Sequence, residues 1–144
     1  MSSVLLAGAL TSCSGYFENQ SYNPDWYKIN DSNIPKWVDT PAEIYYWVGN
    51  GRDIEYKRHG HRCFFPQETL NNGYGDCDDL SVLAIAIYKA RCDKKGSLLT
   101  GTSDGLGHAE PNFCGETFLT FPFTQTKEYP FDDIKYFPNF YAPN

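Results

Sequence analysis

Asn71-Asn72-Gly73-Tyr74-Gly75-Asp76-Cys77-Asp78-Asp79-Leu80-Ser81-Val82-Leu83-Ala84-Ile85-Ala86-Ile87-Tyr88 is the stretch that organises the chain. Two asparagines and two glycines predict a loop. Asp76 reads as a helix N-cap, and Asp79 three residues on resembles the second half of a capping box. The helix is expected to run to about Ala90. From Leu80 to Ile87 only Ser81 is polar, so no face is left for water and the helix belongs in the core. Cys77 therefore lies in the first turn of a buried helix. Unpaired amides and the positive end of the dipole favour the thiolate there, which is the nucleophilic form. The carboxylates of Asp76, Asp78 and Asp79 act in the opposite sense, so an activated thiol needs a cationic partner.

The chain has three histidines. His59 and His61 lie in a polar stretch upstream. His108 follows the glycine-rich Thr102-Ser103-Asp104-Gly105-Leu106-Gly107 and heads a strand-like run, so a strand can hold it rigid. A Gly-Asp-Cys-Asp-Asp helix start followed by Gly107-His108-Ala109 resembles the transglutaminase-like superfamily, whose members share a papain-like core. The resemblance covers about Pro41 to Phe123. It is strongest over Pro66-Gln67-Glu68-Thr69-Leu70, Gly75 to Leu83 and Gly107-His108-Ala109, and it extends to Trp47 and Tyr56. It implies an α+β fold with a central buried helix packed on a small antiparallel sheet. It also implies Cys77 as nucleophile and His108 as base, then acid.

At 144 residues the chain suits one domain with a small core. Aromatic residues make up 17% of it, so rings supply much of the burial. The net charge of −6 and the absence of a basic run argue against nucleic acid and against electrostatic docking on anionic lipid. No internal repeat and no apolar run of about 18 residues is present.

Val4-Leu5-Leu6-Ala7-Gly8-Ala9-Leu10 suits a signal h-region, and Leu10-Thr11-Ser12-Cys13 resembles a bacterial lipoprotein cleavage box. Met1-Ser2-Ser3 lacks the usual basic residue. The reading is a lipoprotein-type segment over 1–13 with a lipid anchor at Cys13, a tether over 14–35 and a domain over 36–144. Trp26, Tyr27 and Ile29 are candidates to dock on that domain. An anchored or periplasmic protein of the cell envelope follows, touching the membrane only through Cys13.

Thr40, Pro41 and Glu43 are helix-start signals, and Ile44, Trp47 and Val48 share one face. Trp47 is expected to pack in the core. Asp53 to Lys57 reads as extended. Arg58-His59-Gly60-His61-Arg62-Cys63 lacks a second ligand cluster for zinc, so it reads as a polar surface loop. The aspartates at 76, 78 and 79 do not have calcium-loop spacing. No metal and no cofactor is implied. Beyond the central helix, Gly96 is a C-cap candidate. Ser97 to Thr100 reads as a strand, and the run to Cys114 with Thr117 to Phe123 reads as a hairpin. Pro111 marks an edge or a bulge.

In the resembled family an Asp or Asn on the strand after the histidine orients the imidazole. No carboxylate stands at the matching Thr124-Gln125-Thr126. Gln125 is the first candidate, Asp132 the second and Glu110 the third. Of five cysteines, Cys13 is taken up by the expected lipid anchor and Cys77 must stay a thiol to react, leaving at most one bridge among Cys63, Cys92 and Cys114.

The function implied is a thiol-dependent amide or acyl hydrolase, or an acyltransferase of transglutaminase type, working through a thioester on a protein or peptide substrate as a monomer. The alternative is a catalytically inactive binding module of the same fold at the cell envelope, suggested by the missing Asp.

Overall fold

The computed structural model describes residues 24–59, 63–103, 105–118 and 124–136. Among them lie helices α1 (Pro41–Gly49), α2 (Pro66–Asn72) and α3 (Cys77–Cys92). The strands are β1 (Glu55–Tyr56), β2 (Tyr74–Gly75), β3 (Ser97–Ser103), β4 (Leu106–Asn112) and β5 (Thr124–Pro130). Short 3-10 turns occupy Pro24–Tyr27 and Phe131–Tyr136. The class is α+β, with a small antiparallel sheet.

The start of α3 follows from its sequence. The Asp76 side chain accepts the amide N–H of Asp79, and the Asp79 side chain accepts that of Asp76, a reciprocal capping box. Every residue from Cys77 to Tyr88 is buried. Leu80, Leu83, Ala84 and Ile87 fall on one side, packing with Ile44, Trp47 and Val48 of α1. Val82 and Ile85 fall on the other, with Leu98 of β3, Ala109 of β4 and Tyr129 of β5. The helix is thus sandwiched between helices and sheet, so it has no polar face.

The helix outruns the expected Ala90 and stops at Asp93, which adopts the left-handed conformation at φ 54°. Gly96 is not the cap. It serves a close approach instead, since a Cβ there would lie 2.7 Å from the Asn112 carbonyl oxygen. At α1 the expected signals act together: Thr40 accepts the Glu43 N–H, Glu43 accepts the Thr40 N–H, and Pro41 follows.

The antiparallel sheet holds three strands among the described residues. The order is β4-β3-β5, with both pairs antiparallel. Among the described residues β4 pairs with β3, with Gly105 at φ 78° in the connection between them; the hairpin expected with 117–123 falls on residues that are mostly outside the described set. Residues 119–123 lie outside the described set. Beyond β4 the chain makes one bridge, Phe113 to Glu116, across a Cys114-Gly115 turn. Pro111 lies on β4, the edge strand among the described residues, where a missing N–H costs little.

The packed chain also begins before Pro35, inside the span read as a tether. Tyr27 and Ile34 are buried, and Ile29 packs on the core. Arg91, near the end of α3, donates to the carbonyl oxygens of Asp31, Ile34, Pro35 and Val38 and to the Asp31 carboxylate. One guanidinium with a planar fork of donors thereby fixes the whole turn.

Candidate active site

Cys77 occupies the first helical position of α3, and its side chain is fully buried. The sulfur is met by the backbone N–H of Ala109 on β4, and the thiol lies 3.8 Å from Asp78 Oδ1. Burial raises the thiol pKa well above its ordinary value, and the charges of Asp78 and Asp76 add to the rise; the Ala109 N–H works the other way. Helix position favours a thiolate, but desolvation and the neighbouring carboxylates are the larger effects here. The resting group is therefore a protonated thiol: the opposition expected from the aspartates is present, and burial adds to it.

His108 precedes Ala109 and is buried on β4. Its Nε2 stands 2.6 Å from Glu110 Oε2. The other oxygen, Oε1, accepts a hydrogen bond from the Tyr45 hydroxyl at 2.9 Å. Residues 108 and 110 share a strand face because the side-chain period of a strand is two. Tyr45–Glu110–His108 is a buried chain that fixes the imidazole plane and leaves Nδ1 as the other ring nitrogen.

The three candidates for orienting His108 thus separate. Glu110 makes the contact. Gln125 lies on β5, two strands from β4 and so about 10 Å away across β3; its side chain is outside the described set. Asp132 is 61% exposed and pairs with Lys95 at 3.2 Å, so it is not at the imidazole. The family-like position loses because β5 adds to the far edge of β3.

His59 is the residue that sequence reasoning misplaced. Its side chain is 4% exposed, stacked on Phe64 at 4.2 Å, with Nε2 2.6 Å from Asp79 Oδ2 and 3.7 Å from Asp76 Oδ2. It does not lie in a polar surface loop; His61 is outside the described residues. The available signal was the capping pair itself, since two buried carboxylates at one helix start require a donor with cationic character. Burial pushes Asp79 up to about 7, with Asp76 adding to the rise against hydrogen bonds from His59 and Phe64. Asp78 is also raised well above the carboxylate range, by burial and then by Asp76.

His59, Asp76 and Asp79 bring ligand-type atoms within 4.8 Å of one another. The chemistry of the donor set fits hydrogen bonding better than metal binding. Asp79 Oδ1 accepts the Phe64 N–H and Oδ2 accepts the Asp76 N–H, and the imidazole and carboxylate are bonded to each other.

Cys77, Cys92 and Cys114 are thiols, so no bridge forms among Cys63, Cys92 and Cys114. Cys63 is disulfide-bonded. Cys13 lies outside the described residues, so the lipid-anchor expectation does too. Among the described residues no helix is long and apolar enough to cross a membrane.

Compared with family models, with curated proteins and with solved structures, the chain matches none.

Proposed function

We propose that the protein is a thiol-dependent amide or acyl hydrolase, or an acyltransferase, on a papain-like core of the transglutaminase type. Cys77 is the nucleophile and His108 the base. Glu110 positions the imidazole, and Tyr45 positions Glu110. The observation that supports the reading is the buried Tyr45–Glu110–His108 chain, on the strand whose Ala109 N–H meets the Cys77 sulfur. A buried carboxylate held against a buried imidazole is expensive unless both are paired, and such pairs are characteristic of catalytic bases.

In the reaction the sulfur attacks a carbonyl carbon as its proton passes to the imidazole. The tetrahedral intermediate expels the amine, which takes that proton, and a thioester remains. Water or a second amine then resolves it. The substrate class is a protein or peptide. The Cys63 disulfide supports a compartment outside the cytoplasm, with the cell envelope as the site of action.

A second reading is a non-catalytic binding module. The enclosed sulfur and its raised pKa favour it. One experiment separates the two: the alkylation rate of Cys77 by iodoacetamide as a function of pH, followed by peptide mass spectrometry. A catalytic pair gives a neutral-pH rate that falls by at least about 100-fold in His108→Ala, because the imidazole takes the thiol proton as the sulfur reacts. A buried spectator thiol gives the same rate in both proteins at every pH; that result sinks the catalytic reading.

A further inference from the structure

Away from the thiol, a cleft of about 230 Å³ opens between α1, α2 and the segment before α1. Its floor is apolar: Ile34, Ile54, Leu70 and the ring of Trp47. Its rim is made of carboxamides, Asn30, Asn33, Gln67 and Asn71, with Asp53 as the one charged lining residue. Trp47 is only 5% exposed, yet its indole Nε1 has no hydrogen-bond partner. A buried N–H left unmet costs stability.

Part of the rim is already fixed. Gln67 Oε1 accepts the Asn30 N–H at 2.6 Å, and Gln67 Nε2 donates to Asn71 Oδ1 at 2.9 Å. The Asn71 amide N–H groups and the whole Asn33 amide make no hydrogen bond among the described residues. Each is a planar group able to meet hydroxyls. An apolar floor and a rim of neutral amides together ask for a small, neutral ligand with a hydrocarbon face and a girdle of hydroxyls.

We propose that this cleft binds a pyranose sugar, seated with its C–H face on the floor and its hydroxyls on the carboxamides. The volume suits a single ring, and Asp53 disfavours anions. Recognition by few polar groups over an apolar floor is the usual build of small-molecule sites. A ligand of this size at ordinary efficiency binds with a dissociation constant of roughly 1 mM. The proposal is independent of the thiol chemistry.

The test is a titration of the ¹⁵N-labelled full chain with glucose, N-acetylglucosamine and the charged control glucuronate. The Trp47 indole cross-peak is read, with Trp26→Phe and Trp37→Phe identifying the other two indoles. The expected result is a saturable shift with at least one neutral sugar, weakened about fivefold in Asn71→Ala. No shift with either neutral sugar overturns the proposal. So does a shift whose midpoint is unchanged in an Asn33→Ala/Asn71→Ala double variant, or stronger binding of glucuronate than of both neutral sugars.

Discussion

Glu110 Oε2 lies 2.6 Å from His108 Nε2, two residues along one buried strand face. A carboxylate at that spacing replaces the residue that the resemblance places on a later strand. Glu110→Gln keeps the shape and removes the charge. It should lower the neutral-pH alkylation rate of Cys77 on the order of tenfold. Tyr45→Phe removes one hydrogen bond to Glu110 and should cost about 1 kcal/mol in urea unfolding, with a smaller fall in that rate. An unchanged pH profile in Glu110→Gln would mean that Glu110 only fills space.

The cysteines should react in a set order. Cys114 is exposed and should alkylate at the rate of a model thiol. Cys77, buried and protonated at rest, should label far more slowly in the native protein. Cys63 should label only after reduction. Peptide mapping over a time course checks all three; early labelling of Cys63 without reductant would contradict the bridge.

Stability should fall as pH rises above the ordinary carboxylate range. Burial pushes Asp79 up to about 7 and holds Asp78 well above its ordinary 3.8 in the folded chain. Both therefore bind protons more tightly when folded. Their contribution is present at low pH and is lost as pH climbs towards the folded values, on the order of 1.4 kcal/mol per pH unit for each titrating group. Urea midpoints between about pH 5 and pH 8 should decline, and Asp78→Asn should flatten the decline. A rise over that window in the native protein would refute the assignment.

Arg91 should be irreplaceable by lysine. Four backbone carbonyls and a carboxylate share its guanidinium, and an ammonium cannot span them. Arg91→Lys is expected to cost about 3 kcal/mol, with hydrogen exchange rising first over residues 31–38. Uniform exchange across the protein would place the loss elsewhere.

Gly75→Ala should be damaging for a steric reason. The added Cβ would meet Asp79 Cβ at 2.7 Å and Thr69 Cγ2 at 3.3 Å. The capping carboxylate would have to move, so a loss of about 2 kcal/mol is expected by thermal or urea unfolding. Gly115→Ala, where nothing lies within 4 Å, is the contrast: only its φ of 100° opposes a side chain, so its loss should be smaller.

Local patterns determined a good deal by themselves. Capping residues and an unbroken apolar run located α3, its first turn and its burial, because those depend on neighbours three and four residues away. The same kind of signal placed α1 at Thr40-Pro41 and put Cys77 at a helix mouth. Only tertiary structure decided what surrounds that mouth. The β4-β3-β5 order sets β5 apart from β4, so Glu110 rather than Gln125 reaches His108. Folding of the 59–64 segment brings His59 against the two capping aspartates, and packing encloses the sulfur until its proton is held. Strand order, enclosure and desolvation are set by contacts between residues far apart in the chain, and no window of sequence contains both members of such a contact.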